Sequence, residues 1–304
     1  MHRLRRTFVL LATLAPLAGC KSVALKFAAD SLASSGEAYA SDDDPELVRD
    51  AIPFGLKTME SVLEEKPRHE GLLTALASGF TSYAYAFVQQ DADFADWNGK
   101  LDAARAGRER ARKLYLRARG YGLRGLDVRR DRFGQRLLAG GKDARAALAE
   151  AGKDDVPLLY WTASAWALAI AADKANMAAV AELPTPVAMM ERALALDEAW
   201  NDGAIHEFFV VLDAGRSAAE GGGPERARAH LDRALALSMK KKLGPRVSFA
   251  EGVLVQRQDR DGFVRTLEEV VRADPGEVPR YRLVNILAQQ RARALLAHVD
   301  DLFL

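Results

Sequence analysis

Hydrophobic positions recur along the chain at helical spacing. Residues 42–65 combine an acidic start, a proline in the first turn and an apolar stripe near the 3.6-residue period. Residues 72–88 are apolar on nearly every side, which predicts a buried helix because no face is left for solvent. Residues 103–126 are again amphipathic, and a short helix is expected over 142–150. The polar stretch 91–99 (DADFADWNG) predicts a loop.

A second apolar run occupies the middle of the chain, at 158–172 (LLYWTASAWALAIAA). As a helix it would be about 22 Å long, whereas the hydrocarbon core of a membrane is about 30 Å thick. Asp154, Asp155, Asp173 and Lys174 flank the run closely. The pattern therefore predicts a buried central helix rather than a membrane span.

One helix–break–helix pattern recurs in the second half of the chain, at 189–212, 230–251 and 266–287. Aligning Leu194, Leu235 and Val271 gives intervals of 41 and 36 residues, close to the roughly 34-residue tetratricopeptide period. The sequence thus predicts an all-α fold of stacked helical hairpins, an α-solenoid or compact helical array, in a single domain over 42–304. An irregular helical bundle is the alternative.

The N-terminus has the layout of a bacterial secretory signal. Three arginines within the first six residues precede an apolar run at 8–17. Leu17, Ala18, Gly19 and Cys20 resemble a bacterial lipobox, in which the cysteine is acylated and the preceding peptide is removed. The sequence predicts a signal peptide over 1–19 and a lipid-anchored segment over 20–41; an ordinary signal peptide is the alternative.

Removal of that signal would change the charge, and lipidation of Cys20 would leave no free thiol. It takes away three arginines and no acid, so the formal net charge falls from +1 to −2. The single cysteine of the 304 residues excludes an internal disulfide and a multi-cysteine metal site. The residue after the cysteine is Lys21 rather than an aspartate. By resemblance to Gram-negative lipoproteins, this favours the periplasmic face of the outer membrane.

Composition and motifs remove several classes of function. The balance of 43 basic and 42 acidic residues disfavours a nucleic-acid partner. The letters GYGLRG at 120–125 match a dinucleotide fingerprint but follow a helical pattern rather than a strand, so we expect these glycines to end a helix. Asp91, Asp93 and Asp96 lack the rest of a calcium loop.

The remaining candidates for chemistry are isolated in the sequence. The histidines beyond the leader are scattered and unaccompanied, so structural or surface positions are expected for His69, His206, His230 and His298. No catalytic constellation survives, and we predict a protein that is not an enzyme and has no cofactor or metal. An enzyme with an unrecognised site is the weakest of the hypotheses retained.

Charge is segregated along the chain. Residues 103–136 carry a net +9, and residues 182–220 a net −6. Solvated helix faces with internal ion pairs are one interpretation. Complementary docking surfaces for another subunit or a secreted partner are the other, since such charge steers encounter and fixes register.

Several segments resemble the T component of TRAP transporter systems, the TatT family. The most specific is ASGFTSYAYAFV at 77–88. The others are DDPELVRDA at 43–51, MES at 59–61, RKLYLRA at 112–118, YGLRGL at 121–126, YW at 160–161 and HLDRAL at 230–235.

The resemblance implies a lipid-anchored periplasmic protein with degenerate tetratricopeptide-like repeats. It also implies a homotrimer that associates with a TRAP periplasmic substrate-binding protein. Each protomer would contain a cavity suited to an apolar or carboxylated ligand. A purely structural helical-repeat scaffold of the cell envelope, without a small ligand, is the alternative.

Aromatic residues on the predicted buried helices are candidates for the cavity wall. They combine apolar surface with a few polar tips, which suits a mostly apolar pocket. The candidates are Tyr83, Tyr85, Phe87, Trp161, Trp166, His206, Phe208 and Phe209. Simple core packing is the alternative for each one.

Overall fold

The computed structural model describes residues 29–31, 33 and 36–303. The predicted signal peptide and Cys20 lie outside these residues. Within the described part of the chain every regular element is a helix and no strand occurs, which confirms the all-α class.

From residue 36 onward, the described first half forms eight α-helices and one π-helical segment. They are α1 (Gly36–Ala40), α2 (Pro45–Glu65), α3 (Glu70–Tyr83), π1 (Ala84–Gln89), α4 (Gln90–Trp97), α5 (Leu101–Arg129), α6 (Phe133–Ala139), α7 (Gly141–Ala149) and α8 (Val156–Ala171).

The second half continues with shorter helices. They are α9 (Met177–Val180), α10 (Pro184–Leu196), α11 (Ala204–Ala214), α12 (Pro224–Leu237), α13 (Gly244–Phe249), π2 (Ala250–Leu254), α14 (Arg260–Arg272), α15 (Arg282–Ala297) and α16 (Val299–Leu302). A helix, a break and a second helix are present in each of the three segments that share this sequence pattern.

Helix α2 begins where the sequence predicts. The Asp44 carboxylate accepts hydrogen bonds at 3.0 Å from the backbone N–H groups of Glu46 and Leu47. Pro45 occupies the first turn, where its missing N–H costs nothing. The helix ends at Glu65, two residues before Pro67.

The predicted loop at 91–99 is wrong, because α4 covers most of it. The acidic side chains that suggested a loop are instead paired with arginines from distant helices. Arg49 binds Asp91 at 2.5 Å, and Arg291 binds Asp93 at 3.1 Å. These pairs let a polar segment stay helical within the packed protein.

The prediction that the glycines at 120–125 end a helix is also wrong. Helix α5 runs through them to Arg129 and packs most extensively against α8. A Cβ on Gly122 would lie 2.0 Å from Thr162 Oγ1, and one on Gly125 would lie 2.6 Å from Leu158 Cδ2. The glycines therefore allow α5 and α8 to approach closely.

The central helix α8 is buried as predicted, with Trp166 only 1% exposed. A longer helical run, Glu70–Trp97, is apolar enough over 18 residues to cross a membrane, but 56% of that window is buried inside the protein. A core helix passes the same test of length and composition.

Three hydrophobic cores lie within the helical array. The first is formed by α2, α3, π1 and α5 with parts of α8 and α15, and the second by α5, α8, α10 and α11 as well as shorter helices before them. The third joins α11 and α12 to α13, π2, α14 and α15. Helices α5, α8, α11 and α15 each contribute to two cores and so connect them.

Candidate functional site

Two π-helical segments interrupt the helical array, one after α3 and one after α13. Single π-helical turns are rare and occur frequently at functional sites, because the wider turn redirects side chains. Here π1 carries Tyr85 and π2 carries Glu251.

Arg291 of α15 links π2 to α4, the helix that follows π1. Its Nε and Nη2 each donate a 2.7 Å hydrogen bond to the Glu251 carboxylate, and Nη1 donates at 3.1 Å to Asp93. Its guanidinium also lies 5.2 Å from the centre of the Trp97 ring. Burial is the largest single influence and opposes the arginine's charge, but the hydrogen bonds with Glu251 and the charges of Glu251 and Asp93 together outweigh it and raise the pKa of Arg291.

Tyr85 faces a recess among the helices. The residue is 48% exposed, yet burial raises the pKa of its phenol to about 12. Arg291 and Glu251 are the charges that act on it most strongly. A residue that is accessible and yet desolvated by the protein around it faces a concave recess in the helical array, which we call the chamber.

Tyr160 of α8 and Glu207 of α11 are also partly accessible, and burial raises the pKa of both groups. The charge of Glu207 acts on both Tyr160 and Tyr85. A Cβ on Gly244 would lie 2.6 Å from Glu207 Oε1, so this glycine leaves room for the carboxyl group.

Lys242 is the cation that acts on Glu207. Its Nζ donates a 2.6 Å hydrogen bond to the carbonyl oxygen of Asn201 and lies 5.4 Å from the centre of the Tyr281 ring. Burial lowers the pKa of Lys242. The amine is thus held by a neutral acceptor rather than by an ion pair with Glu207.

Five of the eight aromatic candidates are buried in packing. They are Tyr83 (8% exposed), Phe87 (2%), Trp166 (1%), His206 (5%) and Phe209 (3%). Tyr85 is the most accessible of the eight, while Trp161 and Phe208 are half-buried. Trp161 packs with Tyr160 and Trp200, at ring-centre distances of 5.0 and 6.4 Å.

Two of the histidines are not isolated. The Nδ1 atoms of His206 and His230 lie 2.8 Å apart, although the residues are on different helices. His206 also contacts Glu198 at 3.1 Å. The sequence does not reveal this pair, because its members come together only where α11 and α12 pack side by side. A structural position stays the prediction for both histidines. Among the described residues no group of three or more His, Cys, Asp or Glu side chains could hold a metal ion.

Sequence reasoning missed most of the polar groups around the chamber. The position of Glu207 could have been noticed in the sequence, since it is a lone charge within the apolar stretch AIHEFFVV of α11. The pairing of Arg291 could not, because its partner Asp93 is 198 residues away in the sequence. Such pairing is decided by how distant helices pack.

Two open clefts on the surface have a different character. One is lined by Asp96, Leu101, Arg105, Arg108, Glu109, Ala172 and Asp173. The other is lined by Asp91, Phe94, Ala95, Asn98 and Lys100. Both are shallow, and neither contains a chamber residue or an aromatic candidate. The chamber is therefore the better candidate for a ligand site.

The basic segment 103–136 is largely neutralised within the chain. Arg112 pairs with Asp173 at 3.2 Å, Arg119 with Glu182 at 3.1 Å, and Arg136 with Glu150 at 2.7 Å. These contacts support the interpretation of helix faces with internal ion pairs.

The fold and site define an all-α protein of packed helices, with a recess at Tyr85 and a few partly accessible polar groups. The sequence profile of the TRAP transporter T-component family matches residues 41–303. An uncharacterized protein of Treponema pallidum (strain Nichols) is 30% identical over 267 residues, covering 88% of this chain and 82% of that protein. The chain belongs to the TRAP transporter T-component family, a family of transport accessory proteins rather than enzymes.

Proposed function

We propose that the protein is a lipid-anchored periplasmic accessory component of a TRAP system that holds a small ligand in its chamber. The observation that carries the proposal is Tyr85, which is desolvated by the protein around it and yet 48% exposed. An apolar interior with few polar groups suits an apolar or carboxylated ligand. Cys20 would carry the lipid, at the outer membrane.

The helical pairs in the second half support a repeat architecture. Helices α10 and α11, α12 and α13, and α14 and α15 each follow the same helix–break–helix order. Each pair buries apolar residues against its neighbours. We propose that these are degenerate tetratricopeptide-like repeats, which commonly present binding surfaces for other proteins.

The proposed partners are a TRAP periplasmic substrate-binding protein and two further copies of this chain. Exposed apolar side chains on α2 are available for such contacts: Leu47 is 59% and Phe54 78% exposed, seven residues apart on one helix face. The partner would deliver ligand to the chamber or receive it from there.

The full-length chain in lipid nanodiscs, together with the purified TRAP substrate-binding protein of the same system, tests this function. We expect native mass spectrometry to report a trimer with retained ligand that associates with the binding protein. A monomer with an empty interior that ignores the binding protein would contradict the proposal. A protein that assembles but holds no ligand would favour the structural scaffold.

A further inference from the structure

The turn between α10 and α11 has an unusual backbone. Asn201 (φ 47°, ψ 45°) and Asp202 (φ 53°, ψ 44°) both adopt the left-handed conformation, and Gly203 follows with φ 87°. Asparagine and aspartate enter this region more readily than other side chains, but as single residues rather than in succession. Such costly backbone persists only where the surrounding structure holds it, and it is typical of switches and clamps. We call residues 201–203 the left-handed turn.

Lys242 holds the left-handed turn from the loop that follows α12. Its Nζ donates a 2.6 Å hydrogen bond to the carbonyl oxygen of Asn201. Asn285 of α15, which is 2% exposed, fixes the loop in turn. Its Oδ1 accepts from the N–H of Leu243 and its Nδ2 donates to the carbonyl oxygen of Lys241, both at 2.9 Å. The amine therefore reaches the turn from a rigidly held segment.

Arg280 holds the same turn from the loop that follows α14. Its Nη2 lies 3.1 Å from the Asp202 carboxylate and donates a 2.9 Å hydrogen bond to the Tyr281 hydroxyl. The ring of Tyr281, a residue only 3% exposed, lies 5.4 Å from Lys242 Nζ. Each of the two left-handed residues is thus held by its own cation, and both cations contact Tyr281. We call Lys242, Arg280 and Tyr281 the lock.

Trp200 directly precedes the left-handed turn and packs against α8. Its ring centre lies 4.6 Å from that of Tyr160 and 6.4 Å from that of Trp161. At the other end of the turn, a Cβ on Gly203 would lie 3.1 Å from Ala234 Cα in α12. Because α12 and the lock fix the turn on one side, they hold the Trp200 ring against α8 on the other.

We propose that residues 200–203 form a strained lid on α8. The left-handed turn stores strain, and the lock keeps Trp200 packed on Tyr160 and Trp161. When the lock opens, relaxation of the turn to an ordinary backbone conformation lifts Trp200 and uncovers the aromatic side chains of α8. Strain favours this opening, whereas the lock and the ring contacts oppose it. The lid does not depend on whether the chamber holds a ligand.

Hydrogen–deuterium exchange of the full-length chain in nanodiscs tests the lock. Exchange of the peptide spanning 197–207, corrected for intrinsic rates, reports how often the lid opens. Lys242→Met keeps the alkyl stem but loses the amine, so exchange should rise about tenfold. Arg280→Met removes a partly exposed ion pair and should raise exchange about threefold. Lys174→Met, at an exposed position after α8, is the control and should change nothing.

Two glycine substitutions in the same segment test the strain. Asn201→Gly retains the carbonyl group that Lys242 binds but removes the Cβ that makes a left-handed residue costly, so exchange should slow about two- to threefold. Ala199 is exposed and right-handed, with φ −83° and ψ −3°. Ala199→Gly is therefore the matched control, and it should speed exchange because it adds flexibility without relieving strain. A merely flexible loop would respond alike to both substitutions.

Acrylamide quenching of tryptophan fluorescence reports the position of Trp200. The chain has four tryptophans, so subtracting the signal of Trp200→Phe isolates this one. Quenching of Trp200 should increase about twofold in Lys242→Met, since a lifted indole is open to solvent.

Two results would overturn the proposal. If Asn201→Gly speeds exchange as Ala199→Gly does, the turn stores no strain. If the lock variants change neither exchange nor quenching, the lock does not hold the lid. Should Lys242→Met fail to fold, Arg280→Met decides the second point, because Arg280 is a largely exposed side chain.

Discussion

The Nδ1 atoms of His206 and His230 share one hydrogen across 2.8 Å. Arg233 hydrogen-bonds to Glu198 and lowers the pKa of that carboxyl group to about 2, so Glu198 is ionised. His206 Nε2 must therefore carry the hydrogen that it donates to Glu198 at 3.1 Å. In a neutral His206 this leaves Nδ1 bare, so His230 Nδ1–H is the donor across the pair.

The far side of His230 agrees with this arrangement. Three contacts link Glu198, His206, His230 and Asp213, but two neutral imidazoles carry only two N–H hydrogens. His230 Nε2 is then without a hydrogen, and its distance to Asp213 Oδ2 is 3.6 Å, too long for a hydrogen bond. An additional proton would complete the chain and leave a charged imidazolium between the helices.

We predict that stability falls as pH drops below neutrality. Burial lowers the pKa of His206 and, together with His206, that of His230. The unfolded histidines take up protons near pH 6.5, whereas the folded pair does so only at lower pH. The free energy of unfolding should thus decrease from about pH 7 down to the folded pKa, as thermal unfolding at pH 7.5, 6.5 and 5.5 can measure.

Removing one histidine should reduce that pH dependence. His230→Gln keeps an amide donor for His206 but eliminates one titrating group, so the decrease between pH 7.5 and 5.5 should be smaller. His298→Gln, near the C-terminus, is the control and should retain the full decrease. An unchanged slope in the His230 variant would show that the pair does not govern acid stability.

Gly122→Ala should destabilise the protein by about 1–3 kcal/mol. Its new methyl group would meet Thr162, whose Oγ1 lies 2.0 Å from the Cβ position, and force α5 away from α8. Gly120→Ala is a matched control on the same helix, because nothing lies within 4 Å of its Cβ position. It should be neutral or stabilising by up to about 1 kcal/mol, since alanine favours helix. Urea unfolding of both variants gives the comparison.

Asp155→Ala should cost about 3 kcal/mol. The carboxylate is 1% exposed and accepts hydrogen bonds from Arg129, Arg130 and the backbone N–H of Gly152, the last at 2.7 Å. Its loss leaves two arginines facing a vacated interior position. The exposed pair Arg228–Asp232 supplies the control: Asp232→Ala should change the unfolding free energy by no more than about 0.5 kcal/mol. Equal effects would contradict the prediction.

Cys20→Ser should release the protein from the membrane fraction. A lipid group on the cysteine sulfur is the proposed anchor, and serine has no thiol to form that thioether bond. Ser22→Ala, two residues further on, should remain with the membrane. Fractionation followed by immunoblotting measures both, and persistent tight membrane association of the serine variant would contradict the lipoprotein assignment.

The helical pattern was readable because it is local. The Asp44 cap, Pro45 and the apolar stripe of α2 lie within one stretch of sequence, and the structure places the helix there. The segment at 91–99 was wrongly predicted as a loop for the opposite reason. The arginines that stabilise it as a helix come from other parts of the chain. Likewise, the glycines at 120–125 serve a contact with α8 that no local pattern reveals.

By itself, the sequence determined the all-α class, the buried character of α3 and α8, and the resemblance to the TRAP transporter T-component family. Tertiary structure alone decided the chamber around Tyr85, the neighbours of Glu207 and the pairing of His206 with His230. Helix periodicity is fixed by neighbouring residues, whereas a recess and its polar groups arise where separately encoded helices pack together.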